Sequence, residues 1–258
     1  MNKQSETTHS QRRTAWTWES WQYFAWLAAI VLLAFVVLIM WSTSTAAQTR
    51  RAEQTIRHAL SLRADPANGA QLYAQHCASC HGALALGNPA FVVPALAGQL
   101  DVYLVKQLVD VAESDREIPE MHRVLARAEL VQPQAIRDLT AFICALEPNA
   151  SNEVGPGKDV ARGDKIYVDQ CAACHGDSAE GFRQGFVPAL RHQHYSYLLS
   201  QMRSLAVGHR YSVDVEVIER LEALQLVELV ATADAVSRKS RTISKRVPQK
   251  PNGLSEGK

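Results

Sequence analysis

No tryptophan occurs after residue 41, and no charged side chain occurs between Glu19 and Arg50. Cysteine is sparse, with five in 258 residues. That is too few to staple a chain of this size and excludes a disulfide scaffold. Methionine is sparser still, with four. A strong excess of positive charge is also missing. The formal net charge is +1, and it is segregated. Residues 50–237 carry 17 Lys and Arg against 23 Asp and Glu, while residues 238–258 carry 7 against the single Glu256. An acidic body excludes a protein built to neutralise nucleic-acid phosphates. Apolar residues are plentiful: 47% are hydrophobic and 21% charged, close to the globular average, which excludes wholesale disorder. The length allows one or two domains.

The uncharged window holds an unbroken apolar run of 18 residues, 24–41. A helix of that length spans about 27 Å, close to the hydrocarbon thickness of a bilayer. Trp16, Trp18 and Trp21 precede the run, Trp26 lies within it and Trp41 ends it, as interfacial aromatic belts do. The alternative is a cleaved signal peptide ending among Ser44, Thr45, Ala46 and Ala47. The run exceeds the usual 7–15 residues of such a segment, and more than 20 residues precede it. We therefore expect a retained transmembrane anchor with residues 1–23 in the cytoplasm. Lys3, Arg12 and Arg13 favour that orientation, and Arg50, Arg51 and Arg57 weaken it.

Cys77-Ala78-Ser79-Cys80-His81 and Cys171-Ala172-Ala173-Cys174-His175 both fit C-x-x-C-H, the attachment pattern of a c-type haem. Two thiols one helical turn apart can add to the two vinyl groups of one porphyrin. The adjacent His then lies beneath the iron. The surroundings repeat at a constant offset of 94: Gly69 and Gly163, Tyr73 and Tyr167, Gly82 and Gly176, Pro94-Ala95-Leu96 and Pro188-Ala189-Leu190, Tyr103-Leu104 and Tyr197-Leu198, Gln107 and Gln201. One register held over about 40 residues indicates a duplicated unit. A shared zinc site would need the two pairs about 15–20 residues apart, and thiol–disulfide exchange would want a βαβ context that these helical flanks lack.

Each unit resembles a class I cytochrome c domain, and the tandem resembles the cytochrome c4 family of dihaem electron carriers. The resemblance covers residues 65–237 and implies an all-α fold behind the transmembrane helix. Each domain then has a helix leading into C-x-x-C-H and a closing helix crossing it. Asp65-Pro66 suits the start of the first such helix, and Gly163-Asp164 can open its equivalent. Helical apolar spacing marks residues 101–111, 134–146 and 217–236. The expected organisation is a stalk at 42–64, domain 1 at 65–150, domain 2 at 158–237 and a basic, mobile tail at 238–258.

The resemblance also assigns site residues. The cofactors are two covalently attached haem c groups held by Cys77, Cys80, Cys171 and Cys174. The proximal iron ligands are His81 and His175. The carbonyls of Pro94 and Pro188 accept from the proximal imidazoles, fixing the rings and raising their basicity. The family pattern Arg-x-x-Pro-x-Met is met at Arg116 to Met121 and makes Met121 the distal ligand of the first haem, with neighbouring His122 as competitor. Arg116 and Arg210 are candidates for pairing with haem propionates, the alternative being solvated surface arginines. The second unit departs from the pattern: at offset 94, Pro119 becomes Val213 and Met121 becomes Val215. His209, beside Gly208, is the expected distal ligand there. An open or water-bound iron is the alternative, and His192, His194, Tyr195, Tyr211 and Met202 are further candidates. Cys144 is expected as a small buried hydrophobe on the closing helix, with Arg238 as its repeat partner.

No acid–base or nucleophilic constellation is visible elsewhere, which favours a carrier over an enzyme. The resemblance implies single-electron transfer at the periplasmic face of a bacterial inner membrane. The partners would be a quinol-oxidising complex or dehydrogenase on one side and a terminal oxidase or reductase on the other. The alternatives are a cytochrome subunit of a larger membrane complex, or a haem enzyme or gas sensor using an open second site. Glu113, Asp115, Glu117 and Glu120 offer an acidic face to a basic partner.

Overall fold

The structure is a computed structural model that describes residues 18–113, 116, 118–127, 129–208 and 215–246. The chain falls into two compact units, residues 1–50 and 51–258. The first is occupied by α1 (Trp18–Ser61), a helix of 44 residues. From Trp26 to Trp41 its large apolar side chains are exposed, Trp26 at 71% and Trp41 at 69%. Among the described residues no helix is long and apolar enough to cross a membrane.

In the second unit the sequence suggests only a polar stalk at 51–64, but the end of α1 carries an apolar stripe. Ala52, Ile56 and Ala59 recur at helical spacing and are buried. They pack against Val105 and Val109 of one later helix and Ile136 of another.

Domain 1 begins with α2 (Pro66–His76) and α3 (Ala78–His81). Asp65 caps α2 as expected, its carboxylate accepting from the N–H groups of Ala67 and Asn68 at 3.0 and 3.2 Å. A 3₁₀ turn, Pro89–Phe91, follows, then α4 (Asp101–Ala112), α5 (Pro119–Leu125) and the closing helix α6 (Pro133–Cys144). Domain 2 repeats the order with α7 (Val160–Gln170), α8 (Ala172–His175), α9 (Tyr195–Ala206), α10 (Val215–Glu222) and α11 (Leu226–Arg246). Among the described residues there is no strand. Two isolated bridges, Asn88 with Val93 and Phe182 with Val187, again lie 94 residues apart.

In each domain the first helix crosses the last at a glycine. A Cβ on Gly69 would lie 2.0 Å from the Asp138 carbonyl oxygen, and one on Gly163 would lie 2.0 Å from that of Ala231. Only a residue without a side chain lets the backbones approach so closely. Gly163 therefore sits inside α7, which starts at Val160, rather than opening it. The two crossings also correct the register. The closing helices correspond at an offset of 93, so the counterpart of Cys144 is Ser237 and not Arg238. Cys144 is exposed, not buried, and its thiol donates to the Gln99 carbonyl at 3.5 Å.

Two boundaries differ from expectation. The apolar stretch 217–236 is broken: α10 ends at Glu222, and α11 restarts at Leu226 where Glu228 Oε2 accepts the Gln225 N–H at 2.9 Å. The helix also passes residue 237, placing Arg238 and Lys239 in domain 2. Arg238 bonds Asp234 at 2.8 Å and the Gly155 carbonyl at 2.6 Å. Lys239 Nζ stands 4.1 Å from the centre of the Tyr167 ring, a cation over an aromatic face.

The segment joining the domains is fastened. Asn152, with no exposed surface, donates to the carbonyls of Gln193 at 2.9 Å and Ser237 at 2.8 Å. Asn149 donates to the Leu86 carbonyl at 3.2 Å.

Candidate functional site

Each C-x-x-C-H segment is one turn of helix hung on the end of a longer one. The Cys77 N–H donates to Tyr73 O at 2.9 Å and the His81 N–H to Cys77 O at 3.0 Å. The same bonds in domain 2, from Cys171 to Tyr167 and from His175 to Cys171, measure 2.9 and 3.0 Å. The turn stops at Gly82 and Gly176, whose φ values of +77° and +80° lie in the region that favours glycine. Tyrosines lock these stops. Tyr73 OH donates to the Gly82 carbonyl at 2.7 Å and Tyr167 OH to that of Gly176 at 2.5 Å. Burial, reinforced by the neighbouring cysteine, pushes both phenols well above their ordinary pKa, so they stay neutral donors.

Each imidazole pairs with a proline carbonyl. His81 Nδ1 lies 3.1 Å from Pro94 O, and His175 Nδ1 lies 3.0 Å from Pro188 O. A carbonyl only accepts, so Nδ1 carries the proton and Nε2 is the lone-pair nitrogen available to a metal. Burial holds both imidazoles below their usual pKa, against the opposing pull of the proline carbonyls. The neutral ring is the ligating form. Burial pushes the Cys77 and Cys171 thiols up to about 11.

Each turn faces an apolar cluster. In domain 1 it includes Tyr73, Leu104, Leu125, Leu139 and Ile143, with Cys77, Leu96, Ile118, Met121 and Phe142 packed against it. In domain 2 it includes Tyr167, Leu198, Met202, Leu229 and Val236, with Cys171, Leu190, Tyr195 and Leu221. Two thiols, one oriented imidazole and an apolar wall fit a covalently held porphyrin and its iron at both places.

Met121 lies on α5, half-buried against the cluster that holds Cys77. His122 is exposed, and its Nδ1 pairs with the Val111 carbonyl at 3.0 Å. Arg116 joins the two domains. Its guanidinium donates to Gln107 at 2.5 Å, to Tyr197 OH at 2.8 Å and to Gln201 at 2.9 Å. His209, Arg210 and Tyr211 lie outside the described residues, as do Asp115 and Glu117. Three other candidates for the second iron have other roles. His192 Nδ1 pairs with the Asn149 carbonyl at 3.2 Å. His194 is buried, accepts the Glu153 N–H on Nδ1 at 3.0 Å and faces Leu86 O with Nε2 at 2.8 Å. Met202 is core on α9.

The sequence reading missed part of the loop between each His and its proline. Gly87 and Gly181 return the chain to His81 O at 2.9 Å and to His175 O at 2.8 Å. Ala85 and Ala179, fully buried, hold positive φ values of 54° and 57°. Both pairs stand at offset 94, and a complete scan at that offset would have found them.

The cytochrome c family profile matches residues 66–147 and 160–217. A cytochrome c4 of Pseudomonas aeruginosa is 31% identical over 157 residues, 58% of this chain and 76% of that protein. A cbb3-type cytochrome c oxidase subunit, FixPc, of Rhizobium leguminosarum is 33% identical over 134 residues, 48% of this chain and 44% of that protein. The crystal structure of reduced cytochrome c4 from Pseudomonas stutzeri superposes with a TM-score of 0.59 at 24% identity, covering 67% of this chain and 98% of that one.

Proposed function

This chain belongs to the cytochrome c family, and we propose that it is a membrane-anchored dihaem electron carrier. It would pass single electrons between respiratory-chain partners on the periplasmic side of a bacterial inner membrane. Two tandem cytochrome c domains carry two covalently bound haem c groups. The observation that carries the reading is the duplicated turn in which His81 and His175 each give Nδ1 to a proline carbonyl.

When bound, each haem iron takes up and releases one electron. The chain's own residues prepare that step. Cys77 and Cys80, and Cys171 and Cys174, fix the cofactor covalently. Pro94 and Pro188 keep His81 and His175 in one tautomer, and the apolar clusters exclude water. Met121 is the proposed sixth ligand of the first iron and His209 that of the second. His–Met ligation gives the higher potential and bis-His the lower, so the pair would be unequal. Arg116 and Arg210 are proposed partners of the propionates.

The exposed apolar side chains of α1 from Trp26 to Trp41 support the anchor, although the described residues alone hold no helix long and apolar enough to cross a membrane. Glu113 and Glu120 support docking to a basic partner, an effect on association rate more than on affinity. The likeness to an oxidase subunit favours a second reading, a fixed subunit of a larger complex. In that case detergent-extracted haem c would travel with other redox subunits and not alone.

The test uses washed membranes carrying the full chain. Haem c should stay in the pellet after carbonate extraction, be reduced on adding quinol and be reoxidised on adding oxygen. Haem that no quinol or oxygen reaches would overturn the carrier reading, and haem released by carbonate would overturn the anchor.

A further inference from the structure

Gln99 and Gln193 hold the same place in the two domains, and each works in the other. The Gln193 Oε1 accepts the Ala95 N–H at 2.9 Å, and its Nε2 donates to the Ala95 carbonyl at 2.9 Å. Gln99 repeats this on Ala189, at 2.9 and 2.9 Å. Each amide oxygen also accepts the N–H that follows it, Leu100 at 2.9 Å and His194 at 3.0 Å. Because an N–H must meet an oxygen, these bonds fix which way each amide points. Ala95 and Ala189 are both 4% exposed, so the bonds are shielded from water.

The peptide unit that carries the Ala95 N–H is the one that carries the Pro94 carbonyl. That carbonyl accepts from His81 Nδ1 at 3.1 Å. The Pro188–Ala189 peptide likewise joins Gln99 to His175, at 2.9 and 3.0 Å. Resonance links the two ends of a peptide. An acceptor on its N–H shifts electron density toward its oxygen and makes that oxygen a better acceptor in turn. A better acceptor raises the basicity of the imidazole it serves.

We infer that Gln193 is a positioning residue for His81 and Gln99 for His175, so that each domain tunes the proximal ligand of the other. A more basic imidazole gives more density to iron and favours the ferric state. The inference requires haem in both domains and is independent of the redox partners.

Purified holoprotein followed by NMR through a redox titration reads each iron separately. Gln193→Leu keeps the bulk and removes both bonds to Ala95, together with the one from the His194 N–H. It should shift the reduction equilibrium of the His81 haem toward the ferrous form by about threefold, about 28 mV for one electron. The His81 Nδ1 proton should exchange faster with solvent, and the His175 haem should not move. Gln99→Leu should produce the mirror image. A shift at the variant's own haem, equal shifts at both, or no shift at either would overturn the inference. If either leucine variant fails to mature, Gln193→Glu and Gln99→Glu replace them. Each carboxylate should displace the opposite haem toward the ferric form, and a displacement confined to its own domain would refute the crossed assignment.

Discussion

At the scale of single residues, the two irons are proposed to differ in their sixth ligands, Met121 and His209. Met121→Ala should abolish the weak long-wavelength ferric band of methionine-to-iron coordination and leave the second haem's spectrum intact. The band's survival would refute Met121. In low-temperature electron paramagnetic resonance the ferric wild type should give two low-spin signals, one turning high-spin in His209→Ala. A high-spin signal already present in the wild type would refute His209. The cysteines and histidines of both sites were legible because each lies within one continuous motif repeated at one offset; the role of the prolines came only with the family resemblance, and Tyr73 and Tyr167 were matched as repeat partners without a role. Gln99 and Gln193 were not legible, although they share that offset. Their meaning lies in contacts 90 and 98 residues away along the chain, which no local pattern encodes. The interdomain contacts of Arg116 were obscured for the same reason: Tyr197 and Gln201 belong to the other domain.

At the scale of elements, each domain rests on one helix crossing. Replacing Gly69 or Gly163 by Ala sets a methyl 2.0 Å from a carbonyl oxygen of the facing helix. Backbone atoms cannot yield there as a side chain could. The overpacking should cost on the order of 3 kcal/mol at either site. Denaturant unfolding of the holoprotein should show it, and an unchanged midpoint would contradict the crossing. The sequence matched these glycines as repeat partners without assigning their packing. It also carried the offset of 94 into the closing helix, where the crossings require 93. The one-residue change of offset falls between α9 and the crossing at Ala231 and is invisible when no motif spans the gap. The break between α10 and α11 was missed because apolar spacing continues across it. The burial of Ala52, Ile56 and Ala59 was hidden by the arginines around them.

At the scale of the whole molecule, charge as well as amide pairing joins the domains. Burial pushes the Asp101 carboxyl upward. The hydrogen bond from Arg183 of domain 2, the Val102 N–H and the charges of Arg183 and Arg137 outweigh it and leave the group below its usual range. A carboxyl depressed in the folded state contributes stability that is fully present above its ordinary pKa and is lost as pH falls through the lowered value. Protease cleavage in the segment 148–157 should therefore stay slow from neutral pH down to about 4 and accelerate below that. In Asp101→Asn the acceleration attributable to this pair should vanish, and an identical pH profile in the variant would contradict the assignment. The duplicated helical architecture was legible from the repeat, whereas the way the two copies grip each other was not. That grip has a consequence for biogenesis. Ala95 is made 98 residues before the glutamine that clamps it, about 5–20 s earlier at ordinary rates of synthesis. Until then the newborn first half holds its histidine through a peptide whose outer edge is bare. A product truncated in the linker never gains that clamp.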